Sequence, residues 1–481
     1  MFESVVTLLG VLLHLAAISW LLVMERRNPT ATLAWLLAII FLPVVGILLF
    51  LAFGATRSRR IARHSREAES RVAEVLERYS VREHIAGSGP GGLGQRTLSL
   101  VNLADRLATT PASRGNLVRI LPSAAAAYRE IIRSIRGAED HIHVLFYIVR
   151  PDRAGKALRD RLVRRAREGI RVRVLCDAVG SLSLPPGFWD PLRAAGGQAA
   201  LFRKAFSLYA RIRHQDRVDF RNHRKIVVVD GQVGFTGGIN VGLEYLGLSE
   251  DTGPWRDTQV ALSGPAVLSL QRTFAEDWCA TTDELIDDAR YFPEPREAGG
   301  STVQIVDSGP DRKWSPISLV LTHAMALSRR RLWITSPYFV PGPAVENAMV
   351  SAALRGVDVR LLVPERSDSL LATLAGRTWY RPLLEAGVRI YLYERGFVHA
   401  KTMVVDSWAG TIGSANMDMR SFHLNFELNA FLYDREVVEE LAGQFRSDLR
   451  HCSEVDLEEE RAVGIPARLA RNAARLLSPL L

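Results

Sequence analysis

The sequence predicts an α/β protein with two pseudo-twofold-related domains, each a mixed central sheet flanked by helices. An N-terminal transmembrane helical hairpin is predicted to precede them. Three observations carry this. The pattern His-x-Lys-x-x-x-x-Asp occurs twice, as His223, Lys225 and Asp230 and again as His399, Lys401 and Asp406. Each copy is trailed by Gly-[Gly/Ser]-x-Asn, ending at Asn240 and Asn416, and both His and Asn are offset by 176 residues between copies. Strand-like and helix-like segments alternate in the same order in both halves, which argues for α/β units. Two apolar runs of about 20 residues open the chain, and a 20-residue helix spans about 30 Å of hydrocarbon.

The first run, Val5 to Met24, is apolar except for Thr7, His14 and Ser19, and the second, Leu33 to Phe53, is apolar throughout. Trp20 and Trp35 flank the turn, where aromatic anchors are favoured. The start Met-Phe-Glu carries no Lys or Arg, and a second run follows at once, which argues against a cleaved signal peptide. Arg26 and Arg27 lie in the turn, whereas Arg57, Arg59, Arg60, Arg63 and Arg66 follow the second run. The two runs predict two passes, and the imbalance places the large C-terminal part on the cytoplasmic side; the expected location is the inner (cytoplasmic) membrane.

The expected divisions are 1–56 for the hairpin, 57–115 for a basic helix and Gly-rich linker, 116–290 and 291–456 for the two domains, and 457–481 for a tail. Ser65 to Glu83 has the period of a surface helix, with Val72, Val75, Leu76 and Tyr79 apolar. Ala86 to Gly94 is a flexible joint. The first domain then reads as strand Leu117–Leu121, helix Ala124–Arg136, strand His141–Val149, helix Ala154–Glu168, strand Ile170–Cys176 and helix Pro191–Ala195, before the His223 strand. The second repeats this: helix Ile317–Ser328, strand Arg331–Val340, helix Ala344–Arg355, strand Val357–Val363 and a helix end at Gly387. Pro337-Tyr-Phe-Val340 echoes Phe146-Tyr-Ile-Val149. Gly196 and Gly387 are 191 residues apart, so the first copy carries about 15 extra residues, within Arg203–Asn222. Basic residues interleave there with Phe202, Phe206, Tyr209 and Phe220, which suits a membrane headgroup surface or nucleic acid. We read it as a lipid-facing lip. The tail segment Ile465–Leu477 reads as an amphipathic helix, suited to a membrane interface or to packing on the catalytic domain.

The chain has 481 residues and a net charge of +9, and its pI of about 9.7 favours anionic partners. Cys176, Cys279 and Cys452 are far apart and form neither a metal motif nor a disulfide framework. No metal and no cofactor is expected.

Side chains alternate along a strand, so His399 shares a face with Lys401, and His223 with Lys225. An imidazole beside an ammonium suits a phosphate. The ammonium neutralises an oxygen, and the imidazole attacks phosphorus or moves a proton. Asp230 and Asp406 join the candidate catalytic set, although as strand-ending residues they are expected to brace turns rather than touch substrate.

These motifs resemble those of the phospholipase D superfamily. The whole chain resembles its membrane-anchored branch, the bacterial cardiolipin synthases. The likeness rests on Arg27-Asn-Pro-Thr-Ala-Thr-Leu-Ala-Trp35, Phe220-Arg-Asn-His-Arg-Lys225, Phe235-Thr-Gly-Gly-Ile-Asn240, Pro254-Trp-Arg-Asp257, Ser308-Gly-Pro-Asp311, Thr335-Ser-Pro-Tyr-Phe-Val-Pro341, Asn416-Met-Asp-Met-Arg-Ser-Phe422 and Asn425-Phe-Glu427. It implies two phospholipase D-like domains sharing one metal-independent site. One His forms a phosphohistidine and the other serves as acid and base. Lys225, Lys401, Asn240 and Asn416 would hold phosphate oxygens, with Ser414 a further hydroxyl donor on one side only, since Gly238 stands in its place in the first copy. Asp257 and Glu427 would each orient one His. The implied reaction is reversible phosphatidyl transfer between two phosphatidylglycerol molecules, giving cardiolipin and glycerol. The implied partners are phosphatidylglycerol and anionic membrane lipid, not nucleic acid, and a monomer suffices because one chain carries both motifs. The alternatives are another phosphatidyltransferase, a lipid hydrolase, or a membrane-tethered phosphodiesterase or nuclease on the same scaffold.

Overall fold

The computed structural model describes residues 2–23, 29–53, 59–81, 85, 92–108, 110–202, 220–248 and 253–478. The expected lip, Arg203–Asn222, falls outside the described residues except for Arg221 and Asn222 in a short strand, and Phe220. Most of the Gly-rich joint lies outside them too.

The N-terminal region forms helices Phe2–Val23, Pro29–Phe41 and Pro43–Phe53. The second apolar run is therefore two helices rather than one. Pro43 disfavours helical backbone at the residue before it, and the break falls at Leu42. The helices pack through Leu21, Ile39, Ile47 and Phe50, with Trp20 and Trp35 edge-on to Phe50 at 6.0 and 5.6 Å. Among the described residues, no helix is long and apolar enough to cross a membrane.

Among the described residues, the two halves share one continuous 16-stranded sheet. In the first half the strands lie in the order Ser113–Leu121, Gln259–Ser263, Val233–Gly237, Ile226–Val229, His141–Phe146, Arg171–Asp177, Gln198–Phe202. The second half repeats that order as Ser301–Ser308, Asn425–Leu432, Ala409–Gly413, Thr402–Val405, Arg331–Thr335, Asp358–Pro364, Arg389–Tyr393. The two halves join antiparallel at Ser113–Leu121 and Ser301–Ser308, with Asn116 opposite Ser301. The duplication in the sequence is thus a duplication in topology, and the sheet is mixed as expected. The strands that follow the two His-Lys pairs, Ile226–Val229 and Thr402–Val405, are buried at every residue. Their apolar runs are what a two-sided core strand requires.

Expected elements recur within a few residues. Helix Ala124–Arg136 starts where Ser123 accepts from the Ala126 N–H and ends at Gly137. Helix Arg153–Arg167 is capped by Asp152, which accepts from Ala154 and Gly155 at 2.8 and 3.0 Å. Several helices were not anticipated, among them Leu370–Arg377, Arg435–Leu449 and the two that follow. Gln95–Leu107 lies in the expected linker, yet Leu100, Val101 and Ala104 are buried in the core of the second half. Ala266–Thr282 is buried from Ala266 to Cys279, Arg272, Glu276 and Asp277 included. Its charges are paired inside the protein, Arg272 with Glu276 and Asp277 with Arg224.

Candidate active site

Register places the two histidines. Arg221–Asn222 pairs in parallel with Asn425 and Phe426 of the second half. Phe397–Val398 pairs in parallel with Trp255 and Arg256 of the first half. The His223 N–H donates to the Phe426 carbonyl at 2.9 Å, and the His399 N–H to the Arg256 carbonyl at 2.7 Å. Each histidine therefore lies beside the carboxylate one residue further on. His223 Nδ1 meets Glu427 Oε1 and Oε2 at 2.9 and 3.0 Å. His399 Nδ1 meets Asp257 Oδ2 at 2.7 Å. The carboxylates are exchanged: each half orients the histidine of the other. With Nδ1–H held by a carboxylate, Nε2 is the free nitrogen of each ring.

Both histidines line one cavity of about 640 Å³, together with Asn240 and Asn416. Lys225 and Lys401 are buried, each donating to the carbonyl of the histidine two residues earlier, at 2.6 and 2.5 Å. The backbone at His223 is braced from beneath. Arg224 donates to Asp277 at 2.7 Å, Asp307 at 3.2 Å and the Glu427 carbonyl at 3.2 Å, and Asn222 donates to Asp277 at 2.9 Å. A buried cation left without these partners would cost several kcal/mol, so the residue between His and Lys serves as an anchor.

The remaining predicted residues have distinct placements. Asp230 and Asp406 stand at the far ends of the strands, away from the histidines, in left-handed backbone at φ 53 and 50°. Asp230 accepts from the N–H groups of Glu139, Asp140 and His141, and Asp406 from those of Arg329, Arg330 and Arg331. Neither lines the cavity, which corrects their inclusion in the catalytic set and agrees with bracing. Ser414 also does not face the cavity. Its hydroxyl donates to Glu427 Oε2 and accepts from the Leu428 N–H at 2.9 Å, so it positions the carboxylate rather than a phosphate. The asymmetry with Gly238 follows: a Cβ at Gly238 would stand 2.3 Å from Asp257 Oδ1. The shorter carboxylate lies against bare backbone, and the longer one is held by a hydroxyl. Asn240 is engaged on both sides, accepting from the Ile148 N–H at 3.1 Å and donating to the Tyr245 hydroxyl at 2.8 Å. The Asn416 side-chain oxygen is buried without a partner, and its amide bonds Asp418, whose carboxyl is raised by burial.

Sequence reasoning missed most of the wall. Tyr147 lies edge-on to His223 with centroids 4.8 Å apart, and Trp255 lies 5.1 Å from His399. Tyr245, Tyr338, Arg150, Asp418 and Arg420 complete much of the lining. Tyr147 and Tyr338 are the tyrosines of the two echoed strand ends, so the repeat itself marked them.

Electrostatics set the protonation states. Burial lowers His223 to about 4, with Lys225 adding to the effect and Glu427 opposing it. Burial, then Lys401, lowers His399 to about 4. Burial lowers Lys225 to about 7 and Lys401 to about 8. Burial alone would raise Glu427, but His223, Lys225 and the Ser414 hydroxyl hold it below the usual range. At neutral pH the imidazoles are neutral, as a nucleophile requires, while the ammoniums are poised near deprotonation. Hence kcat/KM should fall as pH rises through about 7 and 8, because the buried positive charge beneath the histidines is lost. It should also fall below about 4, where the imidazoles protonate. A bound phosphate anion favours the ammonium, so the alkaline limb of kcat should lie higher than that of kcat/KM. A kcat/KM profile flat from about pH 6 to 9 would contradict these assignments.

The chain is similar to known proteins in sequence and in fold. A family model described as "Cardiolipin synthase, PLD-like domain" matches residues 131–278 and 321–449, one match per half. A second, "Phospholipase_D-nuclease N-terminal", matches residues 11–54. The chain is 40% identical over 460 residues to a cardiolipin synthase of Geobacillus kaustophilus (strain HTA426), covering 95% of this chain and 90% of the relative. It is 38% identical over 493 residues to cardiolipin synthase 1 of Bacillus anthracis, covering 100% and 95%. Among solved structures, a phosphatidylserine synthase of Haemophilus influenzae Rd KW20 superposes with a TM-score of 0.61 at 16% identity, covering 79% of this chain and 100% of that one. That likeness bears on the fold alone. With both halves matched by the family model and relatives aligned over nearly their full length, the chain belongs to the cardiolipin synthase family of phospholipase D-like proteins.

Proposed function

We propose that the protein is a phosphatidyltransferase that joins two phosphatidylglycerol molecules into cardiolipin and releases glycerol. The observation that carries this is one cavity lined by two carboxylate-oriented histidines. One Nε2 attacks the phosphorus of the first lipid, forming a P–N bond as the P–O bond to glycerol breaks. The other histidine, taking up a proton at Nε2 as the anionic phosphate binds beside it, gives that proton to the leaving oxygen. That histidine then removes a proton from the terminal hydroxyl of the second lipid. The resulting oxygen attacks phosphorus and frees the first histidine, so each hard displacement is replaced by two easier ones. Lys225, Lys401, Asn240 and Asn416 are assigned to the phosphate oxygens, where charge grows in the transition state. Asp257 and Glu427 are assigned to the histidines, and Ser414 to Glu427.

The N-terminal helices are proposed as a membrane anchor of two passes, with the catalytic region on the cytoplasmic face of the inner membrane. Leu15, Leu22, Leu37, Ile40, Phe41, Val44 and Val45 are exposed on these helices. Water disfavours such a surface and hydrocarbon does not. The arginines after Phe53 support the orientation. A single chain supplies both His-Lys pairs, so the active unit is proposed to be a monomer.

The deciding experiment incubates membranes containing the protein with phosphatidylglycerol labelled in its glycerol headgroup. Cardiolipin and free labelled glycerol are expected in equal amounts. Phosphatidic acid without cardiolipin would replace this reading with a hydrolase.

A further inference from the structure

We propose that the helix Leu370–Arg377 and the C-terminal helix Ile465–Arg475 form a lipid-docking platform at the cavity mouth, inserted into the surface of an anionic membrane. The inference rests on the reading of the substrate as a membrane lipid.

The C-terminal helix is packed the wrong way round for an ordinary surface helix, which buries its large apolar stripe. At 3.6 residues per turn Ile465, Leu469 and Leu476 fall on one face, and they are 72, 65 and 82% exposed. The residue it buries is Ala474, packed with Val340 and Ala375. Arg468, Arg471 and Arg475 form a separate stripe. The helix is nevertheless fixed to the body: Arg471 pairs with Glu460 at 2.6 Å, and the Arg475 guanidinium lies 4.8 Å from the Trp379 ring.

The neighbouring helix continues the exposed face. Leu370 and Leu371 are 72 and 47% exposed, whereas Ser369 and Ala372, in the same turn, line the catalytic cavity. An aliphatic patch therefore borders the opening through which substrate enters. Burial of leucine and isoleucine side chains is favourable, so several exposed together are a surface awaiting an apolar partner. The exposed Arg468 and Arg475 beside it suit anionic headgroups, with the side-chain stems lying along the acyl boundary. A hydrocarbon boundary under an anionic headgroup layer meets both stripes at once. It also presents phosphatidylglycerol to the cavity without full extraction into water.

The test uses the full chain in phosphatidylglycerol vesicles. Cys176 and Cys279 are buried, so Cys452→Ser leaves a background for a fluorescent label at Leu469→Cys or Leu371→Cys. Acyl-brominated phosphatidylglycerol is expected to quench both labels by roughly half or more, and a label at the exposed Glu458→Cys far less. Unquenched labels at both positions would overturn the platform. So would label-to-label contact between chains, which assigns the patch to a second copy. The Leu469→Asp, Leu476→Asp double variant is expected to lose about tenfold in turnover of vesicle lipid while keeping its rate on a dispersed short-chain phosphodiester. Equal loss on both substrates would overturn it. If the parent protein turns over neither substrate, the proposed reaction fails, and the quenching still decides the platform.

Discussion

His223→Ala and His399→Ala are each expected to lower cardiolipin formation by about ten-thousand-fold or more, and the double variant by little beyond either single one. Non-additivity follows from shared work: the displacement needs a nucleophile and an acid in the same step, so removing either leaves the other with nothing to do. Cardiolipin and glycerol are counted against a stability control such as thermal unfolding in detergent. Substantial turnover by either variant would undo the shared site. The same pair of variants separates the two roles. A phosphodiester with a phenolate-type leaving group needs no proton at departure. On that substrate, the variant that lost the acid should still release one equivalent of phenol and gain the mass of the phosphatidyl group. The variant that lost the nucleophile should do neither.

The sequence was most legible where a physical constraint repeats. Two His-x-Lys pairs at a fixed offset fixed the duplication, and the sheet order repeats strand for strand. The helix ends at Gly137 and the cap at Ser123 follow from local backbone chemistry, which sequence spacing shows directly. What was hidden depends on distant partners. Nothing within Ala266–Thr282 tells that Asp277 will meet Arg224 inside the protein. Gln95–Leu107 looked like part of a linker because its apolar face is short and its core lies about 200 residues away. Ser414 read as a phosphate donor because it sits in the motif loop, but Glu427 reaches it first. The break at Pro43 was written in the sequence and outweighed by the apolar run around it. Asp257 and Glu427 were identifiable, but not which histidine each would serve, because that is decided by register between halves.

That exchange of carboxylates makes the second large prediction. Asp257→Asn and Glu427→Gln should each cost about a hundred- to ten-thousand-fold in kcat, since an amide in place of the carboxylate favours the wrong tautomer and no longer stabilises an imidazolium. Loss of activity alone would not show which histidine each holds. The ring protons do. A Nδ1–H shared with a buried carboxylate titrates and resonates apart from one bonded to an amide, so histidine-labelled NMR in detergent reads each ring separately. Glu427→Gln should move the His223 signals and leave those of His399 in place, and Asp257→Asn the reverse. The opposite pairing would sink the exchanged arrangement. The exchange also has a mechanical consequence. His223 and His399 are each aligned only while the two halves are docked, because Phe426 and Arg256 supply the carbonyls that hold their backbones. A half expressed alone would present a histidine with an unheld Nδ1, free to adopt either tautomer. Separated halves should therefore be inactive one at a time and recover turnover on mixing, to the extent that they reform the strand pairs at Asn222 with Phe426 and Val398 with Arg256.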